Sequence, residues 1–204
     1  MEVRQAIADL AEVRGRLAKI QRFDGYSGSA AIASGIVALM AGAAQFALVP
    51  HPAGAAQHAL YLAIWLACLG VALALNYGAI LAWRARNRGA QAGVQARTVG
   101  LTILPAIVSG GVITLALVLR GVDDLLPGIW CVTYALGIFA SRAMVPRDVS
   151  WVAAGFGAFG ILLLLVPALG PLDWWVMPAA FGLGQIAIGA VVREAALRER
   201  ARAR

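Results

Sequence analysis

Two rhythms of apolar and polar residues divide the chain near residue 25. Before that point Val3, Ala6, Leu10, Val13, Leu17 and Ile20 recur in alternating steps of three and four, with charges between them. That spacing is an a/d seam and predicts an amphipathic helix over residues 1–24, lying on a membrane surface or packed beneath a bundle. A short coiled coil that joins subunits or a partner is the sharper reading of the same seam. Beyond it come six apolar runs, at about 27–49, 59–83, 99–119, 126–145, 150–169 and 173–192. Each is near the roughly 20 residues that a membrane-crossing helix needs. The breaks between them are short and carry His51-Pro52, Gly89, Gly121, Pro146 and Gly170-Pro171. Such residues interrupt helices, and none of these breaks has room for a further domain. The pattern predicts an all-α polytopic membrane protein. Residues 25–193 form a six-transmembrane-helix bundle, preceded by a cytoplasmic amphipathic helix and followed by a basic cytoplasmic tail, residues 194–204.

Composition agrees with the pattern. The chain is 61% hydrophobic and 13% charged, where soluble domains carry about 25% charge. The net charge of +7 would suggest nucleic acid in a soluble protein. Here it follows the spans instead. With six crossings, all of the 17 Lys and Arg residues except Arg120 fall on one side. Arg84, Arg86, Arg88, Arg97, Arg142, Arg147, the arm and the tail share that side. The positive-inside rule then places both termini in the cytoplasm. Tyr61, Trp65, Trp174 and Trp175 are expected near the outer boundary, and Trp83 and Trp151 near the inner one. Ala41-Gly42-Ala43 has the form of a signal-cleavage site. The long acidic-containing segment ahead of it is unlike a signal peptide, so the first run is expected to stay in place.

Polar residues inside spans are the usual pointers to function. Asn76, Tyr77, Ser109 and Gln185 form the candidate polar intramembrane site, with Gln45 and Tyr134 as further polar residues in the runs. Asn76 and Gln185 lie at similar depth and are expected to face each other, locking two helices or lining a cavity. Small residues at four-residue spacing (Ala30, Ser34, Ala38, Gly42; Ala180, Gly184) are expected to let helices approach closely. Pro105, followed by Ser109-Gly110-Gly111, is a candidate hinge, since proline removes a backbone hydrogen bond. No Asp, Glu, Lys or His lies mid-span. That argues against proton-coupled transport, which needs titratable groups at depth.

Other chemistry is sparse. Asp123, Asp148 and Asp173 precede spans and are expected as helix N-caps. His51 and His58 share one loop, but their spacing is unlike helical zinc motifs and a third ligand is missing. No metal and no cofactor is expected. Cys68 and Cys131 sit in apolar runs and are expected as buried filler. No catalytic triad or phosphate loop appears, so the chain is expected not to be an enzyme. The tail REAALRERARAR lacks aromatic interleaving. Anionic headgroups, not nucleic acid, are its expected partner.

The lead-in AEVRGRLAKIQRFDGYSGSAAIASGIVAL carries a bend rich in Gly, Ser and aromatic residues, with Gly25 and Gly28 as candidate hinges and Asp24, Ser27 or Ser29 as candidate caps. Over roughly the first 45 residues the chain resembles a group of small bacterial multi-span inner-membrane proteins. Those begin with an amphipathic helix, a Ser/Gly bend and a glycine-rich first span. The resemblance implies an inner-membrane location and carries no activity and no functional residues. Two functions remain in view. One is a non-enzymatic membrane component whose arm, residues 1–22, and tail contact a partner, a second copy or lipid. The other is a small channel or transporter for a neutral solute, built around Asn76, Gln185 and Pro105.

Overall fold

The computed structural model describes residues 25–87 and 89–202. The heptad arm, including Asp24, lies outside them, so its helix and any partner it holds are not placed. The described residues are helical, and no strand occurs among them. The helices are α1 (Gly28–Leu48), α2 (Ala55–Arg86), α3 (Ala90–Arg120), α4 (Leu126–Ala140), α5 (Val149–Leu165) and α6 (Leu183–Arg202). A π-helical turn, Pro178–Gly182, runs directly into α6, and short 3-10 turns at Asp123–Leu125 and Pro167–Leu169 complete the connections.

Local chemistry explains most helix ends. Ala30 N donates to Ser27 Oγ at 3.2 Å, so Ser27 caps α1. The α4 helix closes at Ala140, where Ser141 N reaches both Gly137 O and Ile138 O and Ser141 Oγ also donates to Gly137 O. Pro167 disfavours helical backbone at the residue before it, and α5 ends at Leu165. The fourth and fifth runs are therefore shorter helices than expected, about 23 and 26 Å long. By contrast α2 and α3 outrun the expected spans at their shared loop, because Arg84, Arg86, Gln95 and Arg97 are good helix formers. The sixth run starts its helix later than expected, after a turn at Leu172–Trp175. In all, α1, α2, α3 and the run Pro178–Arg202 are long and apolar enough to cross a membrane, and α5 is a shorter apolar helix.

Helix α1 is the hub. It packs on α2 along one face and on α6 along another, while α4 packs on α5 and α3. The α6 face is a glycine seam. Gly28, Gly35 and Gly42 meet Gly189, Gly182 and Pro178 in antiparallel order. A Cβ at Gly28 would stand 2.6 Å from Gly189 O, and one at Gly35 2.7 Å from Gly182 O. Small residues thus do bring two helices of one chain together. The seam recurs every seven residues, however, not every four. Gly28, expected as a hinge, is instead the first residue of α1 and a point of backbone contact. Gly25 occupies a buried turn just ahead of α1. Pro105 and Ser109-Gly110-Gly111 lie within α3, which runs through them without interruption.

The outward faces of α2 and α3 are apolar. Leu66, Leu69, Leu81, Leu104, Val112 and Leu115 are all exposed. Faces this large are compatible with a membrane-embedded protein and unlike the surface of a soluble monomer.

Candidate functional site

Ser34, Ala38 and Gln45 form the α2-facing stripe of α1, roughly a quarter-turn around the helix from the glycine seam. Ser34 Oγ donates to Ala30 O at 2.9 Å and accepts a 2.7 Å bond from Asn76 Nδ2. Asn76 also donates to Ala72 O at 2.9 Å. About 16 Å along the same pair of helices, Trp65 Nε1 donates to Gln45 Oε1 at 2.8 Å, and Gln45 Nε2 donates to Leu172 O at 2.7 Å. Gln45 has no exposed surface. Its amide joins α1, α2 and the segment before α6, and both ends of it are satisfied.

The other half of the bundle has its own pairs. Gln185 Nε2 donates to Tyr134 OH at 2.6 Å. Tyr134 also closes a ring cluster with Phe156 and Phe181, with centroids 4.8 and 5.4 Å away. Trp130 Nε1 donates to Thr114 Oγ1 at 2.8 Å, linking α4 to α3. The four candidate residues are therefore not one site. Asn76 and Gln185 bond to different partners on different helices and not to each other. Ser109 is exposed on α3. Tyr77 lines a groove of about 390 Å³ with Ile80, Leu81, Arg84, Gly93, Ala96 and Arg97.

At the bundle end that carries the α1–α2 loop, two histidines hold two aspartates. His51 Nδ1 lies 2.7 Å from Asp173 Oδ1, and His58 Nδ1 lies 2.9 Å from Asp123 Oδ2. Of the expected caps, Asp148 occupies the N-cap position of α5 without a side-chain cap bond, whereas Asp123 and Asp173 are not at the cap positions of the turns or helices that follow them. An imidazole within reach offers a carboxylate a charge-assisted partner. Trp174 N donates to Pro50 O at 3.0 Å, and the Phe46 and Trp174 rings meet edge-on at 5.0 Å. Tyr61 and Trp65 are inside the protein, 1% and 4% exposed, with Tyr61 stacked parallel to Trp130. Among the described residues, two buried oxygens, Tyr61 OH and Asp123 Oδ1, have no hydrogen-bond partner.

No protein family, curated protein or solved structure matches the chain. The reading of function therefore rests on this geometry alone. At the other end of the bundle Tyr26 packs against Ile80 and Val99 and also against the main core, and burial pushes its phenol above the ordinary range. The sequence had flagged Asn76, Gln45, Tyr134 and Gln185 as polar. It had treated Ser34 only as a small residue and had no role for Thr114. An indole inside an apolar run needs an acceptor, and that rule applied to Trp65 and Trp130 is the signal that finds Gln45 and Thr114.

Proposed function

We propose that this chain is a non-enzymatic integral membrane component, crossing the inner (plasma) membrane six times with both termini in the cytoplasm. Its arm, its basic tail and its inner rim would make the contacts that matter to the cell. The observation that carries this reading is how the polar groups are used. Ser34 with Asn76, Gln45 with Trp65, Thr114 with Trp130, and Tyr134 with Gln185 each spend their hydrogen bonds on a neighbouring helix. In hydrocarbon such pairs hold helices together. A transport path would instead gather these groups toward a common space. Helix α6 continues to Arg202, with Glu194 and Arg198 paired on its exposed side. This supports a tail that stands beyond the bundle, where anionic headgroups attract cations.

Two measurements test the proposal. Purified protein in liposomes should pass neutral solutes no faster than protein-free liposomes. Saturable flux that disappears in Asn76→Ala would establish a channel or transporter instead. Removing residues 1–22 should leave insertion intact and change the oligomers or partners recovered by cross-linking in cells. Unchanged cross-links would remove the arm from the account.

A further inference from the structure

We propose that the groove between α2 and α3 binds one anionic phospholipid. Its phosphate would lie on Arg84 and Arg97, and an acyl chain would run along Leu81, Ile80 and Tyr77. The proposal rests on the membrane reading above.

Four observations converge on it. The first is size, since the groove of about 390 Å³ is within the range of ligand sites. The second is charge. Both arginines line the groove, and among the described residues neither forms an ion pair. A guanidinium presents a planar fork of donors that suits a phosphate. The third is depth. The uncharged stretch of α3 between Arg97 and Arg120 is about 35 Å long, slightly more than the roughly 30 Å hydrocarbon core. These two arginines therefore bracket the core, and Arg97 marks one boundary. Arg84 projects from the facing helix close to the same boundary, and Tyr77 supplies an amphipathic ring between the two zones.

The fourth observation is shape. A Cβ at Gly93 would meet nothing within 4 Å, so helix packing does not require this glycine. Its effect is to keep the groove open. The wall beside the arginines is apolar, with Leu81 61% exposed. A free soluble anion would leave that wall uncovered, whereas a lipid covers it. Basic pockets between membrane helices at headgroup level select acidic lipids for this reason.

The test uses the full chain purified in dodecyl maltoside. It is titrated with phosphatidylglycerol, with phosphatidylcholine of the same acyl chains, and with inorganic phosphate. Retained lipid is read by native mass spectrometry and thermal midpoint by light scattering. The expected result is retention of phosphatidylglycerol and a raised midpoint, with little effect of phosphatidylcholine or phosphate. The double variant R84Q/R97Q should bind phosphatidylglycerol about 10-fold more weakly, R84K/R97K should recover part of the loss, and R120Q at the far end of α3 should bind as wild type. Gly93→Leu fills the headgroup end of the groove, has room to fold, and should also lower retention. Equal binding of the two lipids, an unchanged R84Q/R97Q or Gly93→Leu, or a response to phosphate matching that to phosphatidylglycerol would each overturn the proposal. A protein that stays soluble and monomeric without detergent would overturn the membrane reading itself. One that needs detergent but shows no lipid preference would sink the groove alone.

Discussion

Trp65 Nε1 donates to Gln45 Oε1 at 2.8 Å in a place where Gln45 has no contact with solvent. The same amide donates to Leu172 O, so one side chain fixes three segments. Gln45→Leu keeps most of the volume but strands the indole N–H and a carbonyl oxygen. Each stranded buried group costs about 1–3 kcal/mol. Gln45→Leu should therefore destabilise the protein by about 2 kcal/mol or more in reversible detergent unfolding. Ser34→Ala should cost about 1 kcal/mol or less, as single interhelical bonds usually do in membranes. Equal, small effects of both would mean that Gln45 is not a joint.

Glycines in this chain divide into two kinds, and alanine tells them apart. A Cβ at Gly35 would crowd Gly182 O at 2.7 Å and Ile186 N at 3.0 Å, both backbone atoms. At Gly100 it would meet nothing within 4 Å. Alanine favours helix over glycine by about 1 kcal/mol. Gly100→Ala should thus be neutral or raise the thermal midpoint, and Gly35→Ala should lower it clearly. The same ordering in detergent and in liposomes would establish the α1–α6 seam. A reversed order would refute it.

The helix positions were legible from hydropathy, because length and apolarity fix where a span lies along the chain. Position around a helix was not. Residue counting puts Asn76 and Gln185 at similar distances from the ends of their runs, yet they point at Ser34 and Tyr134. Depth follows from counting residues, while facing depends on which helices become neighbours. The glycine seam shows the same limit. Four-residue spacing through Ser34, Ala38 and Gly42 is present in the sequence, but Ser34 and Ala38 turn toward α2, and the seven-residue set meets α6. The ends of α4 and α5 were hidden because both apolar runs continue past the residues that stop the helices. Asp123 and Asp173 read as caps because each precedes an apolar run, while their histidine partners lie far away in sequence.

The two histidine–aspartate contacts fasten the loop between α1 and α2, through His51, and the first turn of α2, through His58, to the segments that lead into α6 and α4. His58 and Asp123 are the more enclosed pair, with side chains 28% and 16% exposed. A double-mutant cycle with His58→Ala and Asp123→Ala should give a coupling energy of about 1 kcal/mol. The matching cycle at His51 and Asp173, whose imidazole is 69% exposed, should give less, because solvent screens exposed pairs. Zero coupling at His58–Asp123 would mean that the contact does not hold the start of α2.

The proposed six crossings, with the cationic loops on one side, can be read out by labelling single cysteines in intact spheroplasts. In a cysteine-free background carrying Cys68→Ala and Cys131→Ala, new cysteines replace Arg86, Arg120, Arg147 or Arg202, one at a time. Only Arg120→Cys should react with a membrane-impermeant maleimide from outside, and the other three should react only after the membrane is opened. Outside labelling of Arg147→Cys would show that α4 does not cross, and outside labelling of Arg202→Cys would place the tail on the wrong side. Either result would contradict the six-crossing bundle.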